Sequence, residues 1–219
     1  MIRAVLFDMD GVLFDTERLG SELSEVAAKL QGCSLDNSSW NSLIGLTMKE
    51  TADRLAAWCP GMDVKRFSAD WREVMLRHVQ TYGMPFKPGA RELIPRLKEN
   101  GILLGLCSSN DPVVVHEYLR IAGWKDAFDT VITVERVQRA KPAPDMYLTA
   151  AADLCAGPEE CAGVEDSPSG IRAVRAAGML SVMVPDVVPF SDALAPAVDL
   201  LIPSLNDFES AVWHKEEIL

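Results

Sequence analysis

Positive charge is scarce in this chain of 219 residues, where 21 Lys and Arg stand against 32 Asp and Glu for a formal net charge of −11 at pH 7. Phosphate backbones are held by clustered Lys and Arg, so no nucleic-acid partner is expected and any phosphate site must be local. Cysteine is sparse as well. The five, Cys33, Cys59, Cys107, Cys155 and Cys161, are odd in number and form neither a CxxC pair nor a His-containing metal spacing. They read as reduced, mostly buried thiols of a cytosolic protein. The first apolar run, Ala4 to Phe7, gives way to acidic residues and is far too short for a signal peptide or a membrane span. A cytoplasmic location without membrane contact is therefore expected. No internal repeat or low-complexity tract occurs, which argues against a solenoid or a flexible tail.

What is present is ordinary globular material, 48% hydrophobic and 24% charged, long enough for one large domain or a core with a modest insert. Short apolar runs recur at Ala4 to Phe7, Leu103 to Cys107, Val131 to Val134, Ala162 to Val164, Ser181 to Val184 and Leu200 to Ile202. Each has the length of a buried strand. Helix signatures lie between them: Asp111-Pro112 as N-cap and first residue with Gly123 as the stop, then Ser167-Pro168 with Gly178. Strands alternating with capped helices predict an α/β fold with a doubly wound parallel sheet. Pro95 inside the helical stretch from Ala90 to Asn100 predicts a kink or a late start. From Thr16 to about Tyr82 the alternation lapses into amphipathic helical patterns. One helix is expected over Ser21 to Leu30 and another from Thr47-Met48-Lys49-Glu50, where Thr and Glu have capping-box spacing. The expected division is a core of residues 1–15 and 83–219 with an inserted all-helical domain at 16–82.

The most informative stretch is Phe7-Asp8-Met9-Asp10-Gly11-Val12-Leu13-Phe14-Asp15-Thr16. Ligands of open parallel sheets bind beyond the carboxyl ends of the strands, and Asp8 follows directly on the first one. Two carboxylates there can bind a hard cation and still offer an oxygen to substrate, and an aspartate that attacks phosphorus divides one hard step into two. A bare Asp-x-Asp is more often a charged turn. Three further segments shift the balance, each just past an apolar run. Ser108, Ser109 and Asn110 offer a hydroxyl and turn amides to a phosphate oxygen, although alone they would be a capping turn. Lys141, between flanking prolines in Ala140-Lys141-Pro142-Ala143-Pro144-Asp145, could neutralise charge on a phosphoryl group, although a lone lysine is usually solvated. Glu165-Asp166 offers acidic metal ligands, although acids also favour a helix N-terminus for its dipole.

In this order, the Asp8 to Thr16 stretch, Ser108-Ser109-Asn110, Lys141-Pro142-Ala143-Pro144-Asp145 and Gly163-Val164-Glu165-Asp166-Ser167 resemble the four motifs of the haloacid dehalogenase superfamily. The likeness is greatest to its β-phosphoglucomutase-like phosphatases, which carry a small helical cap. The resemblance implies a magnesium-dependent phosphatase of a small phosphorylated metabolite, with a sugar phosphate or similar monoester expected. Asp8 would be nucleophile and Mg2+ ligand, while Asp10 would lend its backbone carbonyl to the metal and shuttle the proton with its side chain. Ser108 and Lys141 would hold the phosphoryl group, and Asp166, assisted by Glu165, would complete the metal shell. Thr16 would mark the hinge into the cap, whose closure excludes water.

A dehalogenase of the same fold needs neither a metal nor an acid after the nucleophile, so Asp10 and Glu165-Asp166 argue against it. A phosphonate-cleaving relative needs a cap lysine, and nothing singles out Lys29 or Lys49. A receiver domain would be shorter and lack the insert, and a degenerate binding paralogue would have lost a site residue. A true phosphomutase of the resembled group has a His after the hinge Thr, a Lys before a cap-loop Gly, and an Arg further on. With Thr16 and Gly45 setting the register, those positions hold Gly20, Ile44 and Met48, and Lys49 lies one position from the expected Arg. Hydrolysis is the expectation. Arg18, Lys49, Arg54 and Trp58 could contact substrate but read more simply as solvated or packing residues. The oligomeric state is not legible in the sequence, and a monomer is the expectation taken.

Overall fold

A computed structural model describes residues 1–43 and 48–216. Strand β1 (Ala4–Phe7) is followed by four helices, α1 (Thr16–Lys29), α2 (Asn37–Asn41), α3 (Met48–Trp58) and α4 (Val64–Tyr82). Strands and helices then largely alternate: α5 (Ala90–Glu99), β2 (Leu103–Cys107), α6 (Pro112–Ala122), β3 (Thr130–Ile132), α7 (Asp145–Asp153), β4 (Cys161–Glu165), α8 (Pro168–Ala176), β5 (Leu180–Met183), β6 (Leu200–Leu201) and α9 (Phe208–Glu216). All six strands lie parallel in one sheet of order β3-β2-β1-β4-β5-β6. The chain forms two compact units, Met1–Asp15 with Pro85–Leu219, and Thr16–Met84.

In the first unit the expected helix grammar is realised in detail. Asp111 accepts the Val113 amide at 2.8 Å and Gly123 ends α6 in the left-handed conformation, while Ser167 accepts the Gly170 amide at 3.0 Å to start α8. Helix α5 begins at Ala90 and runs through Pro95, so it does not start late; Leu93, Ile94 and Leu97 are buried along it, and that burial offsets the missing donor. Strand β1 is buried on both faces, which is why it reads as an unbroken apolar run. Alternation sends Ala4 and Leu6 into a cluster with Cys107, Ile132, Met146, Tyr147, Cys161 and Val174, beneath α7 and α8. Phe7 lies 6.1 Å, ring to ring, from Phe208 of α9.

The second unit is helical throughout its described residues. Helix α1 starts at Thr16, ahead of the expected Ser21. The cap Thr47 of the expected capping box, and Ile44 and Gly45, lie outside the described residues. Ala27, Ala28, Leu35, Leu55 and Phe67 form its apolar centre. Cys33 and Cys59 pack on that cluster with their Cα atoms 5.9 Å apart and are joined as a disulfide, which corrects the expectation of five reduced thiols. Their separation of 26 in sequence carries no trace of that approach. Cys107 and Cys161 are buried as expected, and Cys155 is exposed. The exposed Arg54 donates to the Ser42 carbonyl at 3.0 Å. Among the described residues no helix is long and apolar enough to cross a membrane.

Candidate active site

The sheet register pairs Phe7 with Leu106 on one side and with Val164 on the other, so the strand ends carrying Asp8, Cys107 and Glu165 come level. Strand order reverses at β1, and in such sheets the crevice at the reversal is the ligand site. Side-chain alternation places Asp8 on the same face as Leu6, and Glu165 on the same face as Cys161. There the Lys141 ammonium pairs with Asp8 Oδ1, with Glu165 Oε1 at 2.7 Å, and with the Cys107 carbonyl at 2.9 Å. Glu165 also accepts the Tyr147 hydroxyl at 2.6 Å and the Ser167 hydroxyl at 3.2 Å. Lys141, Asp8, Glu165 and Asp166 are thus gathered from three separate stretches of chain.

Asp10 stands on the turn after β1, where Asn110 Nδ2 donates to its Oδ2 at 2.6 Å. Ser108 is buried at the end of β2, and its hydroxyl accepts the Asn110 amide at 3.2 Å. Ser109 is exposed. Gly11 has φ +76, and a Cβ there would lie 2.3 Å from Asp166 Oδ2. Only glycine lets the turn pass so close to that carboxylate. Gly170 does the same for Glu165, whose carboxyl carbon a Cβ would approach to a non-bonded distance that no structure tolerates.

Burial works against the Lys141 ammonium, but the carboxylates of Asp8 and then Glu165 outweigh it and hold the lysine above its ordinary range. Burial also works against the Asp8 anion, with Glu165 and Asp10 adding to the penalty and Lys141 favouring it. Tyr147 is pushed up by burial and then by Glu165, so its phenol stays neutral and donates. One carboxylate oxygen each from Asp8, Glu165 and Asp166 lie within 4.8 Å of one another. Three carboxylates against one ammonium leave an excess of negative charge, and an all-oxygen donor set of this kind suits a hard divalent cation.

The family model described as haloacid dehalogenase-like hydrolase matches residues 5–184. The chain belongs to that family. It is 30% identical to β-phosphoglucomutase of Bacillus subtilis over 98% of this chain and 95% of that one. It is 32% identical to hexitol phosphatase B of Escherichia coli, covering 94% of each. The crystal structure of CbbY from Rhodobacter sphaeroides in complex with phosphate superposes with a TM-score of 0.81 at 25% identity, covering 95% of this chain and 96% of that one. The protein is accordingly a haloacid dehalogenase-like hydrolase.

Three residues of this hydrolase escaped the sequence reading. Lys87 Nζ lies 2.6 Å from Asp186 Oδ1 and 3.5 Å from Asp15 Oδ1, with the Asp186 side chain fully buried. A Cβ at Gly11 would lie 3.3 Å from Asp186 Oδ2, so this second ion pair borders the same turn as Asp166. Tyr147 supports Glu165 from α7. Lys87 and Asp186 are separated by 99 positions and sit in no capping or catalytic spacing, so no local signal marks them. Tyr147 lies two residues after Asp145 in the Lys141 motif, and a tyrosine at that helix start is the one available hint.

Proposed function

We propose that this protein hydrolyses a small phosphate monoester, a sugar or polyol phosphate, through a phosphorylated Asp8, with magnesium as its metal. The observation that carries this reading is the Lys141 ammonium held between Asp8 and Glu165 beside Asp166, at the crevice where strand order reverses. An Asp8 carboxylate oxygen attacks phosphorus as the bond to the leaving oxygen breaks, and Asp10 gives that oxygen its proton. Water then attacks the acyl phosphate, Asp10 takes a proton back, and inorganic phosphate leaves. Lys141 and the Ser108 hydroxyl hold the transferring group in line. Asp8, Asp166 and the Asp10 carbonyl would hold the magnesium, which supplies charge neutralisation to the phosphoryl oxygens. Glu165, whose oxygens already receive Lys141, Tyr147 and Ser167, fits better as the group that aims the lysine than as a direct ligand.

Hydrolysis is favoured over the mutase reaction named for the Bacillus relative by the packing at Gly20. Trp71 Nε1 donates to the Gly20 carbonyl at 3.0 Å, and a Cβ at position 20 would lie 2.9 Å from the indole. A histidine at position 20 would therefore require the Trp71 indole to shift. The test is phosphate release from a panel of hexose and hexitol phosphates, with chelation and magnesium restoration. Activity should vanish in Asp8→Asn and on chelation. A variant with a tenth of wild-type rate removes Asp8 from its role, and isomerisation of β-glucose 1-phosphate outpacing phosphate release would establish the mutase.

A further inference from the structure

Asn110 follows Ser108 and so reads naturally as part of a phosphate-binding turn, yet its side chain is used otherwise. Its Nδ2 donates to Asp10 Oδ2 at 2.6 Å, across a gap of 100 residues in sequence. The backbone around it is fixed on both sides. Its own amide donates to Ser108 Oγ at 3.2 Å, and the next residue, Asp111, caps α6 by accepting the Val113 amide at 2.8 Å, with Pro112 as first helical residue. Two adjacent side-chain-to-backbone turns leave the Asn110 Cα little freedom, so its aim at Asp10 is built into the start of α6. From the same helix Tyr118, buried, lies near enough for the Asp10 charge to add to what burial does to its phenol.

A carboxylate that must first give and then take a proton needs a fixed orientation about its Cβ–Cγ bond. A primary amide suits that need, because it donates to one oxygen while bringing no charge that would blunt the group as a base. We propose that Asn110 is a positioning residue for Asp10: its amide, donated to Oδ2, holds the carboxylate at the angle from which the leaving oxygen is protonated. This rests on the assignment of Asp10 as acid/base above. Gripping phosphate is not its task.

The test separates leaving-group protonation from phosphate binding. An alkyl phosphate leaves as a poor alkoxide and needs the acid, whereas 4-nitrophenyl phosphate leaves as a stable anion and scarcely does. For Asn110→Ala, kcat/KM on the best sugar or polyol phosphate should fall about ten- to a hundredfold, and on 4-nitrophenyl phosphate by less than about threefold. Inhibition by inorganic phosphate should be unchanged. The near-isosteric Asn110→Asp, which sets a second carboxylate against Asp10, should show the same selectivity, and it covers the case of a poorly folded alanine variant. Equal loss on both substrates, or weakened phosphate inhibition, overturns the proposal. Asp10→Asn is measured alongside: if it shows the substrate selectivity and the Asn110 variants do not, the positioning role alone is wrong, and if it shows none, the acid/base assignment falls and the positioning role with it.

Discussion

Lys87 illustrates how much one side chain can hold when a partner cannot reach water. The Asp186 carboxylate is wholly buried, and the lysine that neutralises it is itself only 11% exposed. Lys87→Met takes the ammonium away from a buried carboxylate 2.6 Å off, and should destabilise the protein by about 3–5 kcal/mol. Replacing both, as in Lys87→Met with Asp186→Leu, should recover most of that loss. Equilibrium urea unfolding of the three proteins decides it, and a Lys87→Met variant as stable as wild type would show that the pair carries no weight. At Gly11, by contrast, the constraint is steric, because the space a side chain would need is already held by Asp166 and Asp186.

At the level of the element, β1, β2, β4 and β5 were legible because burial leaves continuous apolar runs, and β1 and β2 begin and end where those runs do. The capped helices α6 and α8 were legible for a similar reason, since N-cap chemistry is local. Asp8, Asp10, Ser108 and Glu165-Asp166 could be picked out because each lies at or just past a strand end, and Lys141 because prolines flank it in a short motif. Lys87, Asp186 and the aim of Asn110 could not, since each depends on pairing over about a hundred positions. The cysteine pair, only 26 positions apart, was illegible too, because its contact is created by the packing of α1 and α3 on a shared cluster. In α1 the close approach of Trp71 to Gly20 makes a further expectation. Gly20→His should lower the stability of the helical unit by about 1–3 kcal/mol through overpacking, outweighing the gain of up to about 1 kcal/mol from removing a helical glycine. Trp71→Ala in the same chain should relieve part of it. Thermal unfolding that shows no loss in Gly20→His would mean the indole moves aside freely.

Across the whole molecule, the Cys33–Cys59 bond closes a stretch of 26 residues within the helical unit. The chain-entropy view assigns a loop of that length about 3.5 kcal/mol, so reduction should lower the unfolding midpoint of that unit while leaving the sheet unit in place. Hydrogen exchange with and without a thiol reductant would resolve the two, and equal protection of α1 to α4 in both conditions would contradict the bond's contribution. The points where the chain leaves and rejoins the sheet unit are also tied together: the Asp15 amide donates to the Pro85 carbonyl at 3.0 Å, the Lys87 amide to the Leu13 carbonyl at 3.0 Å, and Phe14 bridges Phe86 in antiparallel sense. To the sheet, everything from Thr16 to Met84 is therefore a loop whose ends are already joined. The entropic penalty of such a loop rises only as the logarithm of its length, about 0.6 kcal/mol per doubling. A lineage built on this clasp is free to lengthen, shorten or exchange what hangs from it at little cost to the folding of the sheet unit.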